Sequence, residues 1–243
     1  MKGILLCGHG SRSVEALRDF ESFVVLFKQQ NPLLPVAYGF LELSKPDFTT
    51  AIQSLYMQGV REIDAIQLFL FSGKHIETDI PYQLRKIEAG YSDLVITIRN
   101  PIGADPRLLD IIALSVFPFI DRSKSQVLLT VGVGASVMEA NKQITTLSEQ
   151  ISSKLQIEKL SVSFMSTLAK PKFQETLSTI VLQQVDEIIV LPLLLFSGVY
   201  YSTILSHSAT LTQETGKDIT VLPTLALSSG FVALCELSSS LHS

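Results

Sequence analysis

His9, Glu42 and His75 are the side chains of this sequence best suited to chemistry, and each stands just past a short apolar run. His9 follows residues 4–7, Glu42 closes 35–41, and His75 lies a few residues beyond 63–70. Two imidazoles and a carboxylate form a ligand set for a divalent metal that keeps coordination positions open. An imidazole is also the side chain that most readily takes up and releases a proton near neutrality. Taken singly, a histidine after a strand is an ordinary loop residue. Around His9, the turn Gly8-His9-Gly10-Ser11 reads as a strand-to-helix connection with Ser11 at the helix N-cap. Amides at 11–13 would there favour an anion. Arg12, Lys45 and Lys74 are the nearby cations, each equally readable as a solvated surface charge. Cys7 reads as a small buried strand residue. His207 and His242 have no motif around them and are given no role.

The elements that position these groups follow from periodicity. Apolar runs at 3–7, 35–41, 63–70, 94–99, 127–131, 160–165, 188–195 and 219–222 predict eight strands. Between them lie helix-length segments. Val14, Leu17, Phe20, Val24 and Phe27 step by three or four, as do Ile76, Ile80, Leu84 and Ile87, so each stripe should face a sheet. Near-continuous Ile, Leu and Val strands spaced by helices predict an α/β fold with mostly parallel sheets. His9, Glu42 and His75 then fall at carboxyl ends of strands, the edge where such sheets bind ligands. In a flavodoxin-like order the first and third strands flank the switch point, which brings the two imidazoles toward one cleft.

The pattern repeats. A shift of 125 residues lays positions 40–75 on 165–200 without a gap, with 13 identities in 36 positions. A shift of 124 lays Gly8-His9-Gly10-Ser11 on Gly132-Val133-Gly134-Ala135. Internal duplication follows, with two domains expected at 1–120 and 121–243, each a small four-stranded sheet flanked by helices. The ionisable groups do not repeat. His9 becomes Val133, Arg12 becomes Ser136, Glu42 becomes Thr167, Lys74 becomes Val199, His75 becomes Tyr200 and Asp79 becomes Ile204. Lys45 persists as Lys170, which weakens a special role for it. The first half therefore carries polar chemistry that its own fold does not require.

Composition narrows the class. The 243 residues are 47% apolar and 17% charged, with mean hydropathy +0.35, which fits a substantial core and argues against disorder. A net charge of −4 argues against nucleic acid as a partner. Two cysteines are too few for a disulfide scaffold or a cysteine-built metal site. No apolar stretch approaches the ~20 residues of a membrane-spanning helix, so a soluble cytoplasmic protein is expected.

Five motifs in the first half carry a family resemblance. They are Gly-His-Gly-Ser-Arg (8–12), Phe-Leu-Glu-Leu-Ser-Lys-Pro (40–46), Leu-Phe-Leu-Phe-Ser-Gly-Lys-His (68–75), Asp-Ile-Pro (79–81) and Pro-Ile-Gly-Ala-Asp-Pro (101–106). In order and spacing they resemble the ATP-independent tetrapyrrole chelatases, and most closely the sirohydrochlorin cobaltochelatase and ferrochelatase group. The second half resembles the same family more faintly, as in its long, internally duplicated members. Some long cobalt enzymes of the group carry a histidine-rich or cysteine-bearing tail, whereas this chain ends in Leu-Ser-Ser-Ser-Leu-His-Ser.

The resemblance implies insertion of a divalent metal, Co²⁺ or Fe²⁺, into the anionic macrocycle sirohydrochlorin, with no further cofactor. It places the family histidines on His9 and His75, which hold the metal, and the family glutamate on Glu42, which shuttles protons or tunes a histidine. Ser11, Arg12 and Lys74 are then the expected contacts to substrate carboxylates. The second half would form the other wall of the cleft, with Tyr200 and Tyr201 either against the macrocycle or in the core. A monomer is expected, as a pseudo-dimer of two halves. Iron, cobalt and nickel stay open, as do the siroheme and cobalamin pathways. A metal or tetrapyrrole carrier without catalysis is the alternative. Phosphoryl transfer through His9 fits less well, since no Walker-type loop is present and Gly8, not an arginine, precedes the histidine.

Overall fold

The structure, a computed structural model, describes residues 1–71, 73 and 75–240, apart from the side chains of residues 75, 76, 229 and 236–240. Strands β1 (Lys2–Gly8), β2 (Val36–Phe40), β3 (Glu62–Gln67) and β4 (Val95–Pro101) form one sheet in the order β2-β1-β3-β4. Strands β5 (Gln126–Gly132), β6 (Lys159–Phe164), β7 (Glu187–Pro192) and β8 (Asp218–Val221) form a second, in the order β6-β5-β7-β8. Every neighbouring pair is parallel. The expected α/β class and the switch point between the first and third strands are both present.

All eight predicted strands form, but β3 and β7 stop short of the apolar runs that announced them. Leu68 and Leu193 still donate to the neighbouring strand, at Cys7 O (3.0 Å) and Val131 O (2.9 Å). The chain then turns away, and the remaining apolar residues line connections. β7 is buried along its whole length, because crossover helices cover both faces of a parallel sheet.

The helices are α1 (Val14–Gln30), α2 (Phe48–Met57), α3 (Ile80–Glu88), α4 (Leu108–Val116), α5 (Met138–Leu155), α6 (Phe173–Ile180), α7 (Val199–Thr215) and α8 (Ser229–Ser240). Ser13 caps α1 by accepting from Ala16 N, and Asp47 caps α2 by accepting from Thr50 N. The N-cap thus lies two residues beyond the expected Ser11. The apolar stripe of α1 also shifts. Val14 is exposed, while Phe20, Phe23, Val24 and Phe27 are buried. In α3, Ile80 and Leu84 are buried as the stripe predicts and Ile87 packs at the margin; the side chain of Ile76 lies outside the described residues.

The molecule divides into two compact units that do not follow the repeat boundary. The repeats expected at 1–120 and 121–243 are units of sequence. The first packing unit is Met1–Leu108 together with the segment from Ala226 through α8, and the second is Leu109–Leu225. The closing helix of the second repeat therefore belongs to the first unit. Its apolar residues Phe231, Val232, Leu234 and Cys235 are buried, and the Phe231 ring meets Phe23 of α1 edge-on at 5.9 Å. Likewise α4, which ends the first repeat, lies in the second unit, where Asp110 pairs with Lys154 of α5 at 2.8 Å. The core of the first unit gathers Leu5, Phe48, Ile52, Leu55, Ile63 and Leu84; that of the second gathers Leu129, Phe173, Leu177, Val190 and Ile204. Among the described residues no helix is long and apolar enough to cross a membrane.

Candidate functional site

His9 is the first residue after β1, and its imidazole sits between two acceptors. Nδ1 lies 3.2 Å from the carbonyl of Gly10, and Nε2 lies 3.3 Å from Oε1 of Glu42. With Nδ1–H donating to that carbonyl, the Nε2 lone pair faces the carboxylate. When both nitrogens carry protons, the same geometry is an ion pair. The position between Nε2 and Glu42 is one that either a proton or a metal ion could occupy. Both side chains are well exposed, so the position is open to solvent and to a ligand.

Backbone contacts hold this pair. Leu41 N–H donates to Gly8 O and Glu42 N–H to His9 O, extending the β1–β2 ladder past the strand ends. Gly10 occupies φ 94°, and a Cβ there would lie 1.8 Å from the Glu42 carbonyl oxygen. Only glycine permits both the left-handed backbone and the close approach. Ser44 Oγ latches the two loops, accepting from Ser11 N (2.9 Å) and donating to Ser11 O (2.8 Å).

That latch changes the reading of Ser11. Its amide is engaged by Ser44, and its Oγ accepts from Ser13 N at 3.0 Å. The serines shape the loop instead of presenting amides to an anion. Arg12 is exposed, with no ion pair among the described residues. Lys45 pairs with Asp47 at the start of α2. His75 opens a π-helical turn, His75–Asp79, that leads into α3, eight residues beyond the end of β3 at Gln67. Its side chain and all of Lys74 lie outside the described residues. The structure thus brings His9 and Glu42 together at the carboxyl edge of the first sheet.

Other assignments resolve plainly. Cys7 is fully buried and packs in the core, and burial pushes its thiol pKa up, so it is an unreactive strand residue. Tyr201 packs against the core of the second unit, while its neighbour Tyr200 is half-exposed. His207 meets Phe173 edge-on at 5.7 Å within the second unit. Among the described residues no cluster of three or more metal-ligating side chains occurs.

Two contributors went unnoticed in the sequence. Ser44 is one, and its signal was present in the 40–46 motif. The other is Phe69, whose ring meets His9 edge-on at 6.4 Å and 67°. In the second unit the corresponding edge carries no such chemistry. Val133, Leu168 and Val199 stand there as exposed apolar side chains.

The CbiX family model matches residues 3–117 and again 127–239. The chain belongs to the CbiX family. Each CbiX match covers one sequence repeat, which supports the duplication. The chain is 25% identical over 205 residues to the sirohydrochlorin ferrochelatase of Priestia megaterium, spanning 84% of this chain and 77% of that protein. It is 34% identical over 112 residues to the sirohydrochlorin cobaltochelatase of Sulfolobus acidocaldarius, spanning 46% of this chain and 87% of that protein. The fold of this CbiX protein is shared with a solved structure of SirB from Bacillus subtilis with Fe³⁺. That likeness has a TM-score of 0.84 at 19% identity and covers 98% of this chain and 94% of that one.

Proposed function

We propose that this CbiX protein is a sirohydrochlorin chelatase. It inserts a divalent metal, Fe²⁺ or Co²⁺, into the tetrapyrrole without ATP, a lyase reaction of siroheme or cobalamin biosynthesis. The observation that carries this reading is the His9–Glu42 pair at the carboxyl edge of the first sheet. Two donors bound to one ion at about 2.1 Å, roughly 100° apart, are about 3.2 Å from each other. The Nε2–Oε1 separation of 3.3 Å is therefore suited to meeting one metal ion from the same side. The names of the relatives support the choice of macrocycle.

The balance of the reaction needs what this pair offers. The metal enters as M²⁺, two pyrrole N–H bonds break, and two protons leave while four nitrogens take the metal. Two positive charges enter with the metal and two leave as protons, so the exchange balances as written. His9 holds the incoming ion through Nε2, and Glu42 accepts a departing proton beside it. The metal is substrate and leaves with the product, which suits an open site of few protein ligands. By the family resemblance His75 supplies the second imidazole, and Arg12 and Lys74 meet the carboxylates of the macrocycle. Ser11 serves indirectly, by holding the loop with Ser44. The protein acts in the cytoplasm as a single chain.

The test is anaerobic absorbance with protein at one-fiftieth of the sirohydrochlorin concentration, and Fe²⁺ or Co²⁺ in separate runs. Conversion of many equivalents per protein, faster than without protein, is the expected result. Conversion that halts at one equivalent, or never exceeds the control, would make this a carrier instead.

A further inference from the structure

The motif Pro101-Ile102-Gly103-Ala104-Asp105-Pro106 takes no part in the chemistry above, yet its glycine meets the segment that leads to His75. Gln67 at the end of β3 pairs in register with Pro101 of β4, so the chains leaving the two strands run side by side. Gly103 N–H donates to Phe69 O at 2.9 Å. A Cβ on Gly103 would lie 1.7 Å from the Leu70 carbonyl oxygen, 2.3 Å from its carbon and 2.7 Å from Leu70 Cα. All three atoms are backbone, so no rotamer change relieves the overlap. The φ of Gly103 lies outside the left-handed region. Space, not conformation, demands glycine here.

The second repeat is an internal control. Leu225 N–H donates to Leu194 O at 3.0 Å, the same hydrogen bond at the same place in the fold. Leu225 thus stands where Gly103 does, and Leu194 where Phe69 does. The connection itself accepts a leucine. Glycine is needed only in the repeat where the neighbouring ring touches a histidine. Three positions differ together: His9, Phe69 and Gly103 become Val133, Leu194 and Leu225.

We propose that Gly103 and Phe69 are positioning residues for His9. The bare Cα of Gly103 lets the backbone at Phe69 and Leu70 settle against the turn after β4. Phe69 is half-buried, packed on the core of the first unit, and its ring edge fixes the imidazole plane that aims Nε2 at Glu42. The Nδ1 contact with Gly10 O and the approach of Nε2 to Glu42 set the ring along one line, and the aromatic contact supplies the restraint across it. A side chain at 103 would have to move the Phe69–Leu70 backbone by roughly 1.5 Å to reach normal contact. A misplacement of about 1 Å beside reacting atoms costs on the order of 100-fold in rate.

The catalytic consequence rests on the chelatase reading, and the test separates the two. Gly103→Ala and Phe69→Leu are compared with wild type by steady-state kinetics and by ring-nitrogen chemical shifts of ¹⁵N-histidine-labelled protein at fixed pH. The His9 signals are assigned by their absence in His9→Gln. We expect kcat to fall about 100-fold for Gly103→Ala and about 10-fold for Phe69→Leu. KM for sirohydrochlorin should stay within about twofold, and the His9 ring-nitrogen shifts should move in both variants. Unchanged shifts, or moved shifts with wild-type kcat, would overturn the proposal even if melting temperatures fall. If Gly103→Ala does not fold, Phe69→Leu decides. If the wild type inserts no metal, the chelatase reading fails while the His9 shifts still judge the positioning.

Discussion

At the scale of residues, the proposed chemistry rests on one shared position between His9 Nε2 and Glu42 Oε1. Glu42 is exposed, so its exchange for glutamine removes a proton acceptor with little effect on packing. Glu42→Gln should lower the insertion rate about 100-fold, the lower end of general-base effects, with the melting temperature within about 2 °C of wild type. Initial rates and thermal unfolding of the same preparation check both parts. Much of this site was legible because the chain carries its own comparison. His9 and Glu42 stand out once Val133 and Thr167 are seen at the matching places. Phe69 and Gly103 were not legible as contributors. Phe69 lies in an apolar run that reads as strand, and a glycine required by close approach looks like one required by a turn. Only the Leu70 carbonyl beside Gly103 tells them apart.

At the scale of elements, apolar runs announced every strand, because a strand covered on both faces leaves little room for polar residues. Where strands end was less readable. Leu68 and Leu193 continue the ladder for one residue, and the apolar run goes on beyond the strand because Phe69 and Leu194 pack on the two cores from the connections. Helix starts depended on capping geometry, which moved the cap of α1 from Ser11 to Ser13. The cap of α2 makes a pH-dependent prediction. Lys45 beside Asp47, with the Thr50 amide and hydroxyl, lowers the Asp47 pKa from 3.8 to about 2. The stabilisation from that carboxylate is thus present in full above pH ~4 and is lost as pH falls toward 2. Asp47→Ala should cost about 1 kcal/mol at pH 7. At pH 2 the difference from wild type should largely vanish. Urea unfolding at the two pH values measures it.

At the scale of the whole molecule, the duplicated chain exchanges its closing helices between packing units. An apolar stripe such as that of α8 does not say which surface it covers, and Phe23 lies some 200 residues from its partner Phe231. The exchange predicts that a lesion in the second repeat is felt in the first unit. Phe231→Ala should destabilise that unit by about 3–5 kcal/mol. Hydrogen exchange should then show lost protection in α1 and β3, with α6 and β7 protected as before; the reverse pattern would refute the exchange. The central claim, that this CbiX protein turns over a tetrapyrrole at His9, is tested most directly by multiple-turnover metal insertion in wild type and His9→Ala side by side. The account predicts many conversions per wild-type molecule and a His9→Ala rate no faster than the protein-free control. Full turnover by folded His9→Ala would contradict it.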